Sequence, residues 1–196
     1  MPINSIKKIN KNYIIFVIKF IGIFCLFYFG SLAIIGLSTP ESYYSPFVDK
    51  YVNFIDWLRA SLLAATKQCL LLIDYEPYLK NQYELFVKGG YGIRMVYSCI
   101  GYGVMSFWAA FVFANNGSIV RKFSWLLIGW VALWLINVLR LTVLVIALNK
   151  KWGMPLGWDH HTWFNIFAYL LIFVLIYLYD KSSNTLTQKS EYPKSS

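Results

Sequence analysis

Four residues in this chain are of types that do chemistry and stand in apolar surroundings that do not account for them. Cys99 follows a polar loop and opens an apolar run; Asn137 and Arg140 lie inside the run Trp134-Leu135-Ile136-Asn137-Val138-Leu139-Arg140-Leu141-Thr142-Val143; His161 heads the last apolar run. An arginine at mid-bilayer costs about 2.5–3.5 kcal/mol on insertion scales, so Arg140 calls for a partner. A thiol attacks as its thiolate, the form that a neighbouring cation or protonated imidazole favours. A histidine beside it can protonate a departing amine. Arginine stays charged and cannot act as a base, but it can hold a thiolate or donate to a tetrahedral oxyanion. Asn137, one helical turn before Arg140, shares its side and would orient the guanidinium or a substrate amide. Together these types point to cysteine-dependent acyl transfer.

Each residue also has a plainer reading. A lone cysteine at a helix start packs as a small apolar residue, and a histidine at an interface meets headgroups. Arg140 can pair with an acidic residue of its own chain or of a partner, which would make the protein a non-enzymatic membrane subunit such as a transporter component or assembly factor. A lipid-modifying transferase fits least, because no phosphate-coordinating acidic motif is evident. The three cysteines are an odd number and set no complete disulfide framework. Cys25 sits mid-span as a core residue, and a Cys69–Cys99 bridge would consume the candidate nucleophile. Asp159-His160-His161 lacks a further ligand set, so no metal and no other cofactor is expected.

The elements that must position these residues are membrane helices. With 58% hydrophobic, 19% aromatic and only 14% charged residues, the chain cannot solvate itself as a globule. Its net charge of +9 is dispersed over loops and tails, which suits the flanks of membrane helices and not a nucleic-acid stripe. We expect an all-α integral membrane helical bundle, a single multi-pass domain over 1–180 followed by a polar disordered tail over 181–196. Four transmembrane helices are expected over 13–37, 97–114, 123–148 and 161–179. The first follows Lys7, Lys8 and Lys11 but is too long for a signal peptide's apolar region, so it reads as a retained helix. Residues 57–73, interrupted by Arg59 and Lys67, read as an interfacial or short helix. Residues 83–87 and 93–97 flank a glycine cluster and suggest a small extracytoplasmic β-hairpin.

Because successive spans alternate direction, Cys99, Arg140 and His161 fall on one membrane face whichever way the chain is threaded. The denser basic flanks, Lys7, Lys8, Lys11, Arg121 and Lys122, favour a cytoplasmic N-terminus and place that face outside.

Cys99-Ile100-Gly101, Asn137-Val138-Leu139-Arg140 and His161-Thr162-Trp163-Phe164-Asn165 resemble, in order, the Cys-Ser-Gly, Asn-x-x-Arg and His-x-x-x-Gly motifs of the exosortase/archaeosortase family, and the small size looks like its short bacterial exosortase subgroup. The resemblance implies a membrane-embedded cysteine protease/transpeptidase without cofactor. Its partners would be membrane lipid and exported proteins with a C-terminal sorting signal, a hydrophobic helix plus basic tail. It would process them at the outer face of the cytoplasmic membrane. Catalytic roles would fall to Cys99, Arg140 and His161, and supporting ones to Asn137, Gly101 and Asn165. Ile100 departs from the motif by lacking a hydroxyl, and Asn165 stands where the family has glycine. The spacing to Asn165 selects His161 over His160.

Overall fold

A computed structural model describes residues 3–40, 43–152 and 160–191, with side chains described for all of these except 3–10, 160–161, 164 and 183–191. Its helices are α1 (Ile3–Ser38), α2 (Pro46–Tyr51), α3 (Phe54–Leu71), α4 (Tyr102–Ala114), α5 (Ile119–Asn149) and α6 (His160–Glu191). Between α3 and α4 lie the strands β1 (Pro77–Leu79), β2 (Glu84–Val87) and β3 (Gly92–Arg94), then a 3-10 turn at Tyr97–Cys99.

Three helical stretches are long and apolar enough to cross a membrane: Lys11–Ser38, Ile119–Asn149 and Asn165–Ser182. The fourth expected span is shorter than the sequence suggested. Gly101 takes φ 85°, a left-handed value that breaks the backbone before Tyr102. Of the expected run over 97–114, only the 13 residues of α4 are α-helical. At 1.5 Å per residue they reach about 20 Å, short of the ~30 Å hydrocarbon core.

Aromatic rings lock α1 antiparallel to α4. Phe16 meets Phe111 at 6.4 Å, Phe20 meets Phe107 at 5.2 Å and Tyr28 meets Tyr102 at 5.8 Å between centroids. Indole donors lock α4 antiparallel to α5: Trp108 Nε1 donates to the Trp125 carbonyl at 2.9 Å, and Trp130 Nε1 to that of Met105 at 3.3 Å. A Cβ at Gly129 would overlap the fully buried Trp108 indole, so glycine is what lets these two helices approach. At the start of α5, Ser118 caps the helix by accepting from the Arg121 N–H. Arg121 Nη2 donates to the Tyr179 carbonyl at 2.7 Å and its guanidinium lies 4.4 Å from that ring, which sets α6 antiparallel to α5.

The expected interfacial helix is α3, capped by the Asn53 side chain accepting from the Asp56 N–H. Its buried residues Ile55, Arg59, Leu62, Leu63, Thr66 and Leu70 recur at helical spacing and make one inward stripe. That stripe packs with Leu85, Val87 and Ile93 of the sheet, with Met95 just past β3, and with Val138, Leu141 and Val145 of α5. Where the alternative is water, each fully buried Leu or Ile contributes about 1.5–3 kcal/mol.

The expected hairpin is present and gains a third strand. β2 pairs antiparallel with β3 (Leu85 opposite Ile93) and with β1 (Tyr78 opposite Phe86), in the order β1-β2-β3. Three residues opened by Pro77 leave too little alternation to read β1 from sequence, and a proline suits only an edge strand or a strand's first position. Finally, α6 continues to Glu191, past the point at 181 where a disordered tail was expected to begin. From Lys181 to Glu191 there is no Gly or Pro to stop it, and the first proline is Pro193.

Candidate active site

Gly101 positions the nucleophile. By breaking the chain at φ 85° it leaves Cys99 in a 3-10 turn ahead of α4 and not on the helix itself. That break strands the carbonyls of Cys99 and Ile100, which in a continuous helix would accept from amides one turn on. Asn137 Nδ2 reaches across from α5 and donates to both, at 3.1 Å and 2.9 Å. Arg140 Nη1 adds a second donor to the Cys99 carbonyl at 3.3 Å. The same nitrogen donates to Asn137 Oδ1 at 3.3 Å, so the asparagine also orients the guanidinium. The other terminal nitrogen, Arg140 Nη2, donates to Cys99 Sγ at 3.4 Å. Cys99 is 7% exposed and Asn137 1%.

Two of the sequence-derived roles are thereby divided. Asn137 was expected to serve the guanidinium or a substrate amide; its Oδ1 does the first, while its amide hydrogens go to the two stranded carbonyls. Arg140 is the cation beside sulfur. A guanidinium hydrogen bond to a thiolate is charge-assisted, and such bonds are roughly twice as strong as neutral ones.

His161 is the second residue of α6, and its side chain lies outside the described residues. The helix pairing gives its depth. Tyr179 of α6 touches both Arg121 and Trp125 of α5. His161 precedes Tyr179 by as many residues as Leu141 follows Phe123, so it stands at the level of Arg140. Counted along the antiparallel helices, the backbone of His161 falls at the end of the bundle that holds Cys99 and Arg140. Asn165 is exposed. Among the described residues, no three His, Cys, Asp or Glu side chains gather as a metal-binding group. Cys25 and Cys69 are free thiols, both partly buried.

Arg59 was read only as an interruption of an apolar run, and its place is more telling. It lies on the inward stripe of α3 at 4% exposure and pairs with Asp56. Its guanidinium stands 4.4 Å from the Tyr83 ring and 4.7 Å from the Tyr97 ring. Tyr97 begins the turn that carries Cys99, so this cation–π stack ties α3, the sheet and the nucleophile turn together. Projecting residues 55–70 onto a helix would have revealed it, because Arg59 shares the face of Ile55, Leu62 and Leu63. On the α5 side, Trp134 Nε1 donates to Ser61 Oγ of α3 at 3.0 Å, one turn before Val138.

Beyond Gly101 the surroundings become apolar. A cleft of about 480 Å³ lies among Phe24 of α1, Gly103 and Phe107 of α4, and Tyr169, Ile172 and Phe173 of α6. It starts two residues past the Gly101 break and is walled by helices on both sides of α4. No protein-family model, no curated protein and no solved structure matches this chain.

Proposed function

We propose that the protein is a membrane-embedded cysteine protease/transpeptidase that processes the C-terminal sorting signal of exported proteins at the outer face of the cytoplasmic membrane. The observation that carries this reading is the contact of Arg140 Nη2 with Cys99 Sγ at 3.4 Å, held in place by Asn137. A guanidinium there has a chemical use: it offers a charge-assisted hydrogen bond to the sulfur of a nucleophile.

The Cys99 thiol gives its proton to His161, and the resulting thiolate attacks the scissile carbonyl, forming a C–S bond and a tetrahedral oxyanion. Arg140 donates to the oxyanion as charge builds there. Collapse breaks the C–N bond, and His161 returns the proton to the departing amine. The acyl group remains as a thioester on Cys99 until water or an amine releases it. The apolar cleft beside α4 takes the hydrophobic helix of the substrate, so the scissile bond arrives at the membrane boundary where Cys99 stands.

The alternative, a non-enzymatic subunit whose Arg140 pairs with a partner's carboxylate, draws less support, because both terminal nitrogens of Arg140 are turned inward onto Cys99 and Asn137. Comparing exported proteins between cells with the wild-type chain and cells with Cys99→Ala tests the proposal. Retained C-terminal tails at unchanged membrane levels of the variant are expected. Identical processing in the two would refute a cysteine mechanism.

A further inference from the structure

The register of the sheet decides which way each backbone group of β3 points. Met95 donates its N–H to the Tyr83 carbonyl at 2.7 Å, which makes this a hydrogen-bonded pair. Two residues earlier Ile93 stands opposite Leu85, so it also turns its backbone groups toward β2. Gly92 opposite Phe86 and Arg94 opposite Glu84 are therefore the alternate positions, and their N–H and C=O groups face away from β2. Lys80 donates to the Glu84 carbonyl at 3.1 Å, as it should if Glu84 bonds toward β1. Val96 continues the outward parity with its N–H, while its carbonyl accepts from the Cys99 N–H at 2.9 Å.

Among the described residues, no hydrogen bond reaches the outward groups of Gly92 and Arg94 or the N–H of Val96. Arg94 and Val96 are exposed. The edge has a definite start and finish. Just before it, Tyr91 is held by Asn149 of α5, whose side chain takes both the N–H, at 2.8 Å, and the C=O, at 3.1 Å. At its other end the edge runs directly into the turn that carries Cys99. A Cβ at Gly92 would meet Phe86 Cγ at 2.5 Å, so glycine is what lets that ring lie over β3.

A short row of alternating free donors and acceptors is complementary to extended backbone, which is how peptides add to sheet edges. We propose that the edge from Gly92 to Val96 is a peptide-binding site, on which an extended segment adds as a fourth strand and is delivered to Cys99. This rests on the proposed function only in naming Cys99 as the group that receives the peptide. A segment running parallel to β3 points its C-terminal end at Cys99. Its residues on the acyl side of the scissile bond then lie on the sheet, and those beyond it lead toward the apolar cleft. The backbone supplies the affinity, and the Phe86 ring offers an apolar contact to one side chain of the segment.

The test uses the full-length protein in lipid nanodiscs with Cys99→Ala, so that no covalent chemistry intervenes. The probe is a synthetic hexapeptide alternating Thr and Ala with a central benzophenone residue. Photo-crosslinks should map to 92–96. Adding Arg94→Pro removes one outward N–H and nothing from β2, and should lower the yield roughly fivefold, the worth of about one hydrogen bond. Arg94→Ala keeps that N–H and should leave the yield unchanged. The same hexapeptide N-methylated at alternate residues should fail to compete, a result that holds whether or not the proline variant folds. Crosslinks mapping elsewhere, or equal competition by the N-methylated peptide, would overturn the site. Iodoacetamide labelling of wild-type Cys99 reads the nucleophile separately, so failure of the edge and failure of the cysteine mechanism are told apart.

Discussion

Helix α5 carries an arginine near each end of the bundle, and the two are used differently. Arg121 donates to the Tyr179 carbonyl and stacks on that ring, in a cluster built from Trp108, Phe111, Trp125 and Tyr179. Among its partners are a backbone group and an aromatic face of α6, so it fastens α6 to α5. Arg140 also donates to a backbone carbonyl, that of Cys99, but its second nitrogen meets sulfur. The carbonyl it reaches is stranded by the Gly101 break, whereas the Tyr179 carbonyl lies within a continuous helix. One end of the bundle is made rigid by ring packing. The other leaves a backbone irregularity in place and stabilises it with side-chain donors, which is the expected signature of a site and not of a packing contact.

The comparison can be broken most forcefully at the thiol. Cys99→Ala should abolish processing of exported proteins while Cys25→Ala and Cys69→Ala leave it intact, as read from the C-termini of exported proteins. At the packed end, Gly129→Leu should be the most damaging change to folding. It drives a side chain into the Trp108 indole, and overpacking of this kind costs ~3 kcal/mol or more; thermal unfolding in detergent would show it. Next, Asn137→Ala takes the side-chain donor from the Ile100 carbonyl and leaves the Cys99 carbonyl with Arg140 alone. A loss of about 2–3 kcal/mol is expected, and Asn137→Asp should not restore it, because a carboxylate has no hydrogen to donate. Smaller again, Trp134→Phe removes only the indole donation to Ser61, for a loss of ~1 kcal/mol in the same unfolding measurement. If Gly129→Leu and Asn137→Ala proved interchangeable in their effects on activity and stability, the distinction between the two ends would fail.

Much of this arrangement is legible in the residues themselves. Long apolar runs announce the helical stretches of 28, 31 and 18 residues, and alternation of direction is enough to expect Cys99, Arg140 and His161 at one end. The asparagine and arginine at i and i+3 inside an apolar run announce that the one can orient the other. What hides is set by backbone conformation and by short elements. The apolar stretch after Cys99 reads as one span, because a glycine after two apolar residues does not announce that its φ is 85°. The two carbonyls that Asn137 serves exist only because of that break, so its structural duty could not be read beforehand. β1 is too short to show a period. Arg59 was legible but misread: charge suggested an interruption, while its spacing already placed it on the buried stripe of α3.

The most direct measurement is the rate of iodoacetamide labelling of Cys99 at neutral pH in protein carrying Cys25→Ser and Cys69→Ser, compared across Arg140→Gln and Arg121→Gln. If Arg140 holds the sulfur as a thiolate, Arg140→Gln lowers the rate by about tenfold or more, while Arg121→Gln leaves it unchanged. Equal labelling in the Arg140→Gln protein and its parent, or the same fall in both arginine variants, would contradict the account.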